Sequence, residues 1–279
     1  MALYFKEGNT PIILVSTHGG LRRRGFTITA YKSADKNVNK TLFAIEKALK
    51  KKNQKPYIVL SKIHRSVVDL NRPYEETHGE EGGKIWSLYH QKLDSYIQNC
   101  LHKYGKCFIF DLHGHKRNRE VHLGYGLNNA DIRSENWQKS SVAPIARRFN
   151  IHPKELIYGR HSMCEKLERK GIHCIPSNHR RTDLSRYLNG GFITRNYSNK
   201  YSTQPIAVIQ IELPALMRQH HSIHKSGKLL ANAIHFFVNQ SAFKKKKYKS
   251  RKKVTKKKKP QRTRRTRRTR RTRRKRRLN

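Results

Sequence analysis

Two histidines and a glutamate lie at or just past the ends of apolar runs that predict buried strands. Ligands bind at the carboxyl ends of strands in open α/β sheets, so we expect the three side chains to share one site. Two imidazoles and a carboxylate have the composition of a catalytic zinc site with a general base, where an open coordination position holds a water. The residues are His18 after the run 11–15, His113 after 107–110, and Glu212 within 207–213.

Two further segments carry arginines suited to binding an anion. In the sequence RSVVDLNR, Arg65, Asn71 and Arg72 surround an apolar pair. Guanidinium groups bind carboxylates through two hydrogen bonds and can stabilise an oxyanion. A surface ion pair between Asp69 and Arg72 explains the same residues about equally well. In the second segment, NGGFITR, a glycine pair precedes Arg195, which fits either an anion site or a hairpin turn.

The elements that must position these residues alternate along the chain. Periodic apolar residues predict helices, and short continuous apolar runs predict buried strands. This alternation predicts a single α/β domain with a mixed, mostly parallel sheet flanked by helices. The predicted strands are 11–15, 57–60, 107–110 and 207–213, and the predicted helices are 38–49, 85–104, 142–149, 163–170 and 223–237.

The charge of the chain is extreme and uneven. Its 279 residues include 63 Lys or Arg and 18 Asp or Glu, a net charge of +45, which excludes an ordinary neutral domain and predicts a polyanionic partner. Residues 244–279 hold 24 Lys or Arg and no carboxylate, which leaves +21 on residues 1–243. The terminal segment lacks apolar periodicity and predicts a disordered tail. We therefore predict a catalytic domain at 1–243 and a disordered basic tail at 244–279.

The tail is predicted to bind nucleic acid through release of counterions from the phosphates. Deletion of residues 244–279 is expected to lower the affinity for a DNA oligonucleotide and the salt dependence of that affinity, while the melting temperature of the remaining domain stays unchanged. Binding titrations at several salt concentrations measure both quantities. Equal binding by the truncated and full-length proteins would contradict the prediction.

The same sequence predicts the compartment and the state of the cysteines. No apolar run approaches the roughly 18 residues of a membrane span, and residues near Met1 lack the apolar stretch of a signal peptide. We expect a soluble intracellular protein with no membrane partner, and the tail also fits a nuclear localisation signal. The four cysteines form no CxxC pair, which favours reduced, buried thiols over a disulfide framework.

Five motifs occur in the order and approximate spacing of a known family: THGG at 17–20, RSVVDLNR at 65–72, DLHGH at 111–115, NGGFITRNY at 189–197 and QIEL at 210–213. With them the chain resembles the N-formylglutamate amidohydrolase family, a relative of the zinc carboxypeptidases and aspartoacylase. The resemblance covers most of residues 10–240 and leaves out the tail. It implies a zinc-carboxypeptidase-like fold, a Zn²⁺ cofactor, and cleavage of an amide in a small acidic substrate, either an N-formyl or N-acyl amino acid or an acidic peptide end.

The resemblance also implies roles for the candidate residues. A general base takes a proton from zinc-bound water and returns it to the leaving amine, while a fixed cation stabilises the oxyanion. Further residues hold the substrate carboxylate. By position, the zinc ligands would be His18 and His113, the base Glu212, the oxyanion stabiliser Arg65, and the substrate-binding residues Asn71, Arg72 and Arg195.

The third zinc ligand is the point at which the sequence departs from the related enzymes. Zinc carboxypeptidases and aspartoacylase use a Glu three residues after the first His, a position that is Leu21 here and is followed by three arginines. The formylglutamate branch also lacks this Glu and uses an acidic residue further along. Asp35 is our candidate, with Glu46 and His115 as alternatives. Asp35 equally fits an ordinary helix N-cap.

A second class of function fits the composition. An old hydrolase domain could serve as an inactive scaffold for a basic nucleic-acid-binding or packaging protein. In a third interpretation, the tail recruits an acidic polymer that is itself the substrate. Bound metal together with turnover that depends on Glu212 distinguishes an enzyme from a scaffold, whereas nucleic-acid binding alone does not.

Overall fold

The computed structural model describes residues 2–23, 25, 33–77, 79–177, 179 and 184–243. The predicted tail lies outside the described residues, so the division at 243/244 stays a prediction. In the described part, none of the helices is both long and apolar enough to cross a membrane.

One seven-stranded sheet forms the centre of the described structure. Its order is β1-β3-β2-β4-β7-β5-β6, with β3, β2, β4 and β7 mutually parallel and with β1 and β5 antiparallel to their neighbours β3 and β7. The four central strands are almost wholly buried, as expected for a parallel sheet covered on both faces. The strands are β1 Leu3–Lys6, β2 Ile12–Ser16, β3 Tyr57–Ser61, β4 Cys107–His115, β5 Val121–Gly124, β6 Cys174–Ile175 and β7 Ile206–Pro214.

Helices cover both faces of this sheet. The α-helices of the described residues are α1 Val38–Lys50, α2 Gly79–Tyr104, α3 Asn129–Arg133, α4 Ala143–Phe149, α5 Pro153–Ile157, α6 Met163–Glu168, α7 Phe192–Lys200 and α8 Ile223–Val238. The apolar sides of α1 and α8 pack on one face of the sheet, and those of α2 and α7 pack on the other. The predicted α/β domain with a mixed, mostly parallel sheet is confirmed.

The register of β4 and β7 places polar side chains next to each other at the carboxyl edge. His113 on β4 lies directly opposite Glu212 on β7, and Asp111 lies opposite Gln210. Residues two apart on a strand point to the same face, so these four side chains share the face that α2 and α7 cover. The sheet thereby brings together residues that are about a hundred positions apart in the sequence.

Several details differ from the predicted elements, and the helices α3, α5 and α7 were not predicted. β4 continues to His115 instead of ending near residue 110, because its polar residues keep pairing with β7, so His113 lies within the strand. The strands β1, β5 and β6 were not predicted, since two to four residues are too few to show a period. The glycine pair does not form a hairpin turn: Gly191 is the N-cap of α7. All four cysteines are free and buried, as predicted.

Candidate metal centre and active site

Two backbone contacts bring the segment around Asp35 to the ends of β2 and β4. The Asp35 amide donates to the carbonyl of His18 at 3.0 Å, and the Gly114 amide donates to Asp35 Oδ2 at 3.0 Å. A Cβ at Gly20 would collide with the backbone carbonyl of Ile63, so the chain after His18 runs too close to the loop after β3 for any side chain. These two hydrogen bonds and the close approach at Gly20 therefore determine the positions of His18 and Asp35 relative to each other.

His18, Asp35 and His113 form a buried cluster with the donors of a metal site. Asp35 Oδ2 lies 3.7 Å from His18 Nδ1 and 3.3 Å from His113 Nδ1. One ligand atom from each of the three residues lies within 4.8 Å of the others. Two imidazole nitrogens and a carboxylate oxygen are a donor set that suits Zn²⁺ and leaves a coordination position open.

Each histidine of the cluster is oriented by its own carboxylate. His18 Nε2 donates to Asp69 Oδ1 at 2.7 Å, and His113 Nε2 donates to Asp111 Oδ2 at 2.9 Å. With one proton held on Nε2, Nδ1 of each ring faces Asp35 and can bind a cation once it carries no proton of its own. Carboxylates that hold the second ring nitrogen are the usual support of metal-binding histidines. The residues present therefore fit a metal ion.

Removing the charge of Asp111 is expected to weaken metal binding. Asp111→Asn keeps an oxygen that can accept from His113 but lowers the basicity of the imidazole, so we expect metal affinity to fall about tenfold to a hundredfold. Competition with a chromophoric chelator measures it. As a control, Asp94→Asn removes a surface carboxylate that pairs with Lys200 at 2.7 Å and should leave metal affinity unchanged. Equal affinity in the Asp111 variant and the wild type would contradict the supporting role.

The two imidazoles differ in their tendency to hold a proton. Burial lowers the pKa of His18 below its ordinary value. Burial also acts to lower the pKa of His113, but the charge and hydrogen bond of Asp111, together with Asp35, outweigh it and raise that pKa well above the ordinary value. Burial opposes ionisation of Asp35, yet the nearby His113 lowers the pKa of that carboxyl overall. Metal binding is therefore expected to displace a proton from His113.

Glu212 is a further buried polar group at this edge. Gln210 Nε2 donates to Glu212 Oε1 at 2.8 Å, and Gly191 at the start of α7 donates its amide to Gln210 Oε1 at 2.7 Å. Burial raises the pKa of Glu212 to about 7. A carboxyl with a pKa near neutrality can both accept and return a proton, which is the property of a general base.

Of the four other predicted site residues, Arg65 and Asn71 contact the residues around the cluster, whereas Arg72 and Arg195 lie at the surface. Arg65 Nη2 donates to Asp69 Oδ2 at 2.9 Å, so Asp69 pairs with Arg65 and His18 instead of with Arg72. Asn71 is buried: its amide oxygen accepts from the backbone of α7, and its Nδ2 lies 3.4 Å from His113 Nε2.

The two outer arginines face solvent. The Arg72 side chain is about half exposed, and its Nε lies 3.6 Å from Glu76 Oε2. Arg195 is exposed and donates to Asn189 Oδ1 at 2.9 Å. Their predicted contact with substrate stays a prediction.

The alternatives to Asp35 are engaged elsewhere. Glu46 Oε1 lies 2.7 Å from Lys6 Nζ and 2.7 Å from Lys50 Nζ. His115 has Nε2 on the Glu120 carbonyl at 2.9 Å, and its Nδ1 accepts from the backbone. Asn37, not Asp35, occupies the N-cap position of α1. Asp35 is therefore the acidic residue that the structure places beside both histidines.

Arg218 is a buried residue that sequence reasoning missed. Its guanidinium donates to the carbonyls of Leu213, Lys36 and His115 at 3.1, 2.6 and 3.1 Å. These carbonyls follow Glu212, Asp35 and His113 closely in the chain, so one cation ties together the segments that carry the site. No local signal marks Arg218, because its three acceptors are distant in sequence.

A cleft of about 720 Å³ opens beside Asp35 and Gly114. Its wall includes the cationic side chains of Arg23, Lys36 and Lys116. Arg23 thus brings a cation from the chain segment after Leu21 to this cleft. This lining favours an anionic molecule in the cleft.

Solved structures that are similar to this chain are found at low sequence identity. The N-formylglutamate amidohydrolase of Ralstonia eutropha JMP134 has a TM-score of 0.55 and 12% identity over 85% of this chain and 96% of that one. A gene product of Agrobacterium tumefaciens has a TM-score of 0.51 and 11% identity over 84% and 92%. A putative carboxypeptidase of Burkholderia mallei is more distant, with a TM-score of 0.43 and 12% identity over 85% and 59%.

Comparisons of the whole sequence with family models and curated proteins do not reveal this similarity. No protein-family model matches the chain, and no curated protein is significantly similar to it. The similarity therefore rests on the arrangement of the sheet and helices. In its architecture this chain has the fold of N-formylglutamate amidohydrolase, as its five motifs imply.

Proposed function

We propose that the protein is a metal-dependent amidohydrolase that cleaves an amide bond in a small acidic substrate, such as an N-acyl amino acid or an acidic peptide end. The observation that carries the proposal is the buried cluster of His18, Asp35 and His113. Each histidine is supported by a carboxylate, and Glu212 lies next to the cluster on the neighbouring strand. A purely structural core has no need for so many buried ionisable groups.

In the proposed reaction, the cluster, Glu212 and Arg65 each have a separate role. His18, Asp35 and His113 would hold the metal, which in the bound state polarises a carbonyl and acidifies water. Glu212 accepts a proton at its carboxylate and later delivers it to the nitrogen of the leaving amine. Arg65 stabilises the negative oxygen of the tetrahedral intermediate. Its Nε is buried and has no hydrogen-bond partner among the described residues, so a donor is available.

The charge of the cleft supports an acidic substrate. Arg23, Lys36 and Lys116 line the cleft and attract a carboxylate by their combined potential. Arg72 also remains a candidate clamp, because its surface contact with Glu76 is long and half exposed and a substrate carboxylate can replace it at little cost. Asn71, in contrast, contacts His113 and accepts a hydrogen bond from the backbone of α7. We therefore propose that Asn71 holds His113 and α7 in position.

Metal analysis and a substrate panel test the proposal. We expect the purified protein to contain about one zinc equivalent and to hydrolyse N-formyl or N-acetyl derivatives of Glu and Asp in preference to those of Lys and Leu. Chelation should abolish turnover, and added Zn²⁺ should restore it. Protein with full metal that hydrolyses no member of the panel would favour the alternative, an inactive scaffold that binds nucleic acid.

A further inference from the structure

Two adjoining cavities lie over α1, α6 and α8, apart from the residues of the metal centre. Their volumes are about 430 and 420 Å³, and both are lined by Lys52 and Asn232. We call their combined surface the lysine groove. Its cationic lining consists of Lys47, Lys51, Lys52, Lys166, Lys170 and Lys228.

No acidic side chain offsets the lysines in the lining of the lysine groove, since none of the described residues that line it is Asp or Glu. The sequence of α8 contains no carboxylate, and the only one in α1, Glu46, is buried and bonded to Lys6 and Lys50. The two carboxylates of α6 are also engaged: Glu165 bonds to Arg169 and His179, and Glu168 accepts from the Ser177 hydroxyl. The N-terminal turn of α2, by comparison, carries Glu80 and Glu81. The positive potential is therefore concentrated on the α1–α8 side of the sheet.

Small residues form the bottom of the groove between α1 and α8. Gly227 allows the two helices to approach, since a Cβ there would lie 2.5 Å from the Cβ of Ala44. Ala44 and Ala48 line the groove together with Lys47 of α1 and Lys228 of α8. Such a channel with cations on both sides fits a phosphate backbone.

An aromatic ring lies among the cations of the groove. Phe236 is partly exposed, with Lys166 Nζ 4.9 Å from its ring centre and the ring of His161 nearly parallel at 6.2 Å. Cations along a groove with an aromatic ring for base stacking are the two features by which proteins bind single-stranded nucleic acid. An anionic lipid or an acidic protein would use the lysines but has no base to place on Phe236.

We propose that the lysine groove binds single-stranded nucleic acid, with Lys52, Lys166 and Lys170 contacting phosphates and Phe236 stacking on a base. The tail adds affinity without selecting the ligand. This binding is independent of the proposed hydrolase activity, because the groove and the metal centre share no residue.

Two variants of the full chain test the proposal with a fluorescent oligo-dT probe. Lys52→Ala/Lys166→Ala/Lys170→Ala should weaken binding roughly tenfold or more at about 0.15 M salt and reduce the slope of log K against log salt by about 2, the value for three phosphate contacts on a single strand. Phe236→Leu should weaken binding about fivefold or more at every salt concentration without changing the slope.

The control variant is Lys84→Ala/Lys92→Ala/Lys103→Ala, which removes the same charge from α2 on the other face of the sheet. It should change affinity and slope little. Heparin is a polyanion without bases. It should bind the groove lysine variant more weakly than the wild type and should bind Phe236→Leu as tightly as the wild type. Equal losses in the two lysine variants would overturn the groove, and equal loss of oligo-dT and heparin binding in Phe236→Leu would overturn base stacking and with it the nucleic-acid assignment.

Discussion

Glu212→Gln is expected to lower turnover of an N-acyl acidic amino acid by roughly a hundredfold or more, with bound metal and melting temperature nearly unchanged. Gln has the shape of Glu, and its side-chain oxygen can keep the hydrogen bond from Gln210. The variant loses only the capacity to accept a proton. Steady-state kinetics, metal analysis and thermal unfolding on the same preparation measure the three quantities.

The structure sharpens this prediction. A structural Glu212 would pair with an arginine, and its loss would mainly weaken the fold. Its hydrogen-bond partner among the described residues is instead the neutral amide of Gln210. Glu46→Gln is a matched control, because Glu46 is also buried but is paired with Lys6 and Lys50. It should lower stability and leave turnover unchanged. Wild-type turnover in the Glu212 variant would refute its role as the base.

Removing either histidine of the cluster is expected to abolish metal binding. In His18→Ala and His113→Ala one of the three ligands is lost, and the stabilisation that the metal contributes to the native state disappears with it. That contribution is about 2.7 kcal/mol when free metal is a hundredfold above its dissociation constant. Thermal unfolding with and without added Zn²⁺ measures it. Asp35→Ala should behave in the same way if Asp35 is the third ligand.

His90→Ala separates loss of metal from loss of packing. His90 is buried but is not part of the cluster, and it bonds to the Tyr197 hydroxyl and the Leu70 carbonyl. This variant should melt at a lower temperature and still be stabilised by Zn²⁺, whereas the His18 and His113 variants should not respond to it. Full metal occupancy in either ligand variant would contradict the assignment.

The sequence alone determined the four central strands of the sheet and the positions of three polar residues in or just after them. Buried parallel strands require continuous apolar runs, and surface helices require a period of 3.6, so both leave a local pattern. His18, His113 and Glu212 could be placed at strand ends because those ends converge in any parallel sheet. The same argument could have placed Asp111 at the site, because it lies two residues before His113 on the strand and its side chain is on the same face of the sheet.

Only the tertiary structure decided which loop residues join the site. It brought Asp35 to the histidines, bonded Asp69 to His18 across 51 positions, and set Arg218 against three separate carbonyls. It also separated Arg65, at the centre, from Arg72, at the surface. Such contacts have no period in the sequence, because a loop side chain finds its partner through the packing of the strands and helices that carry it.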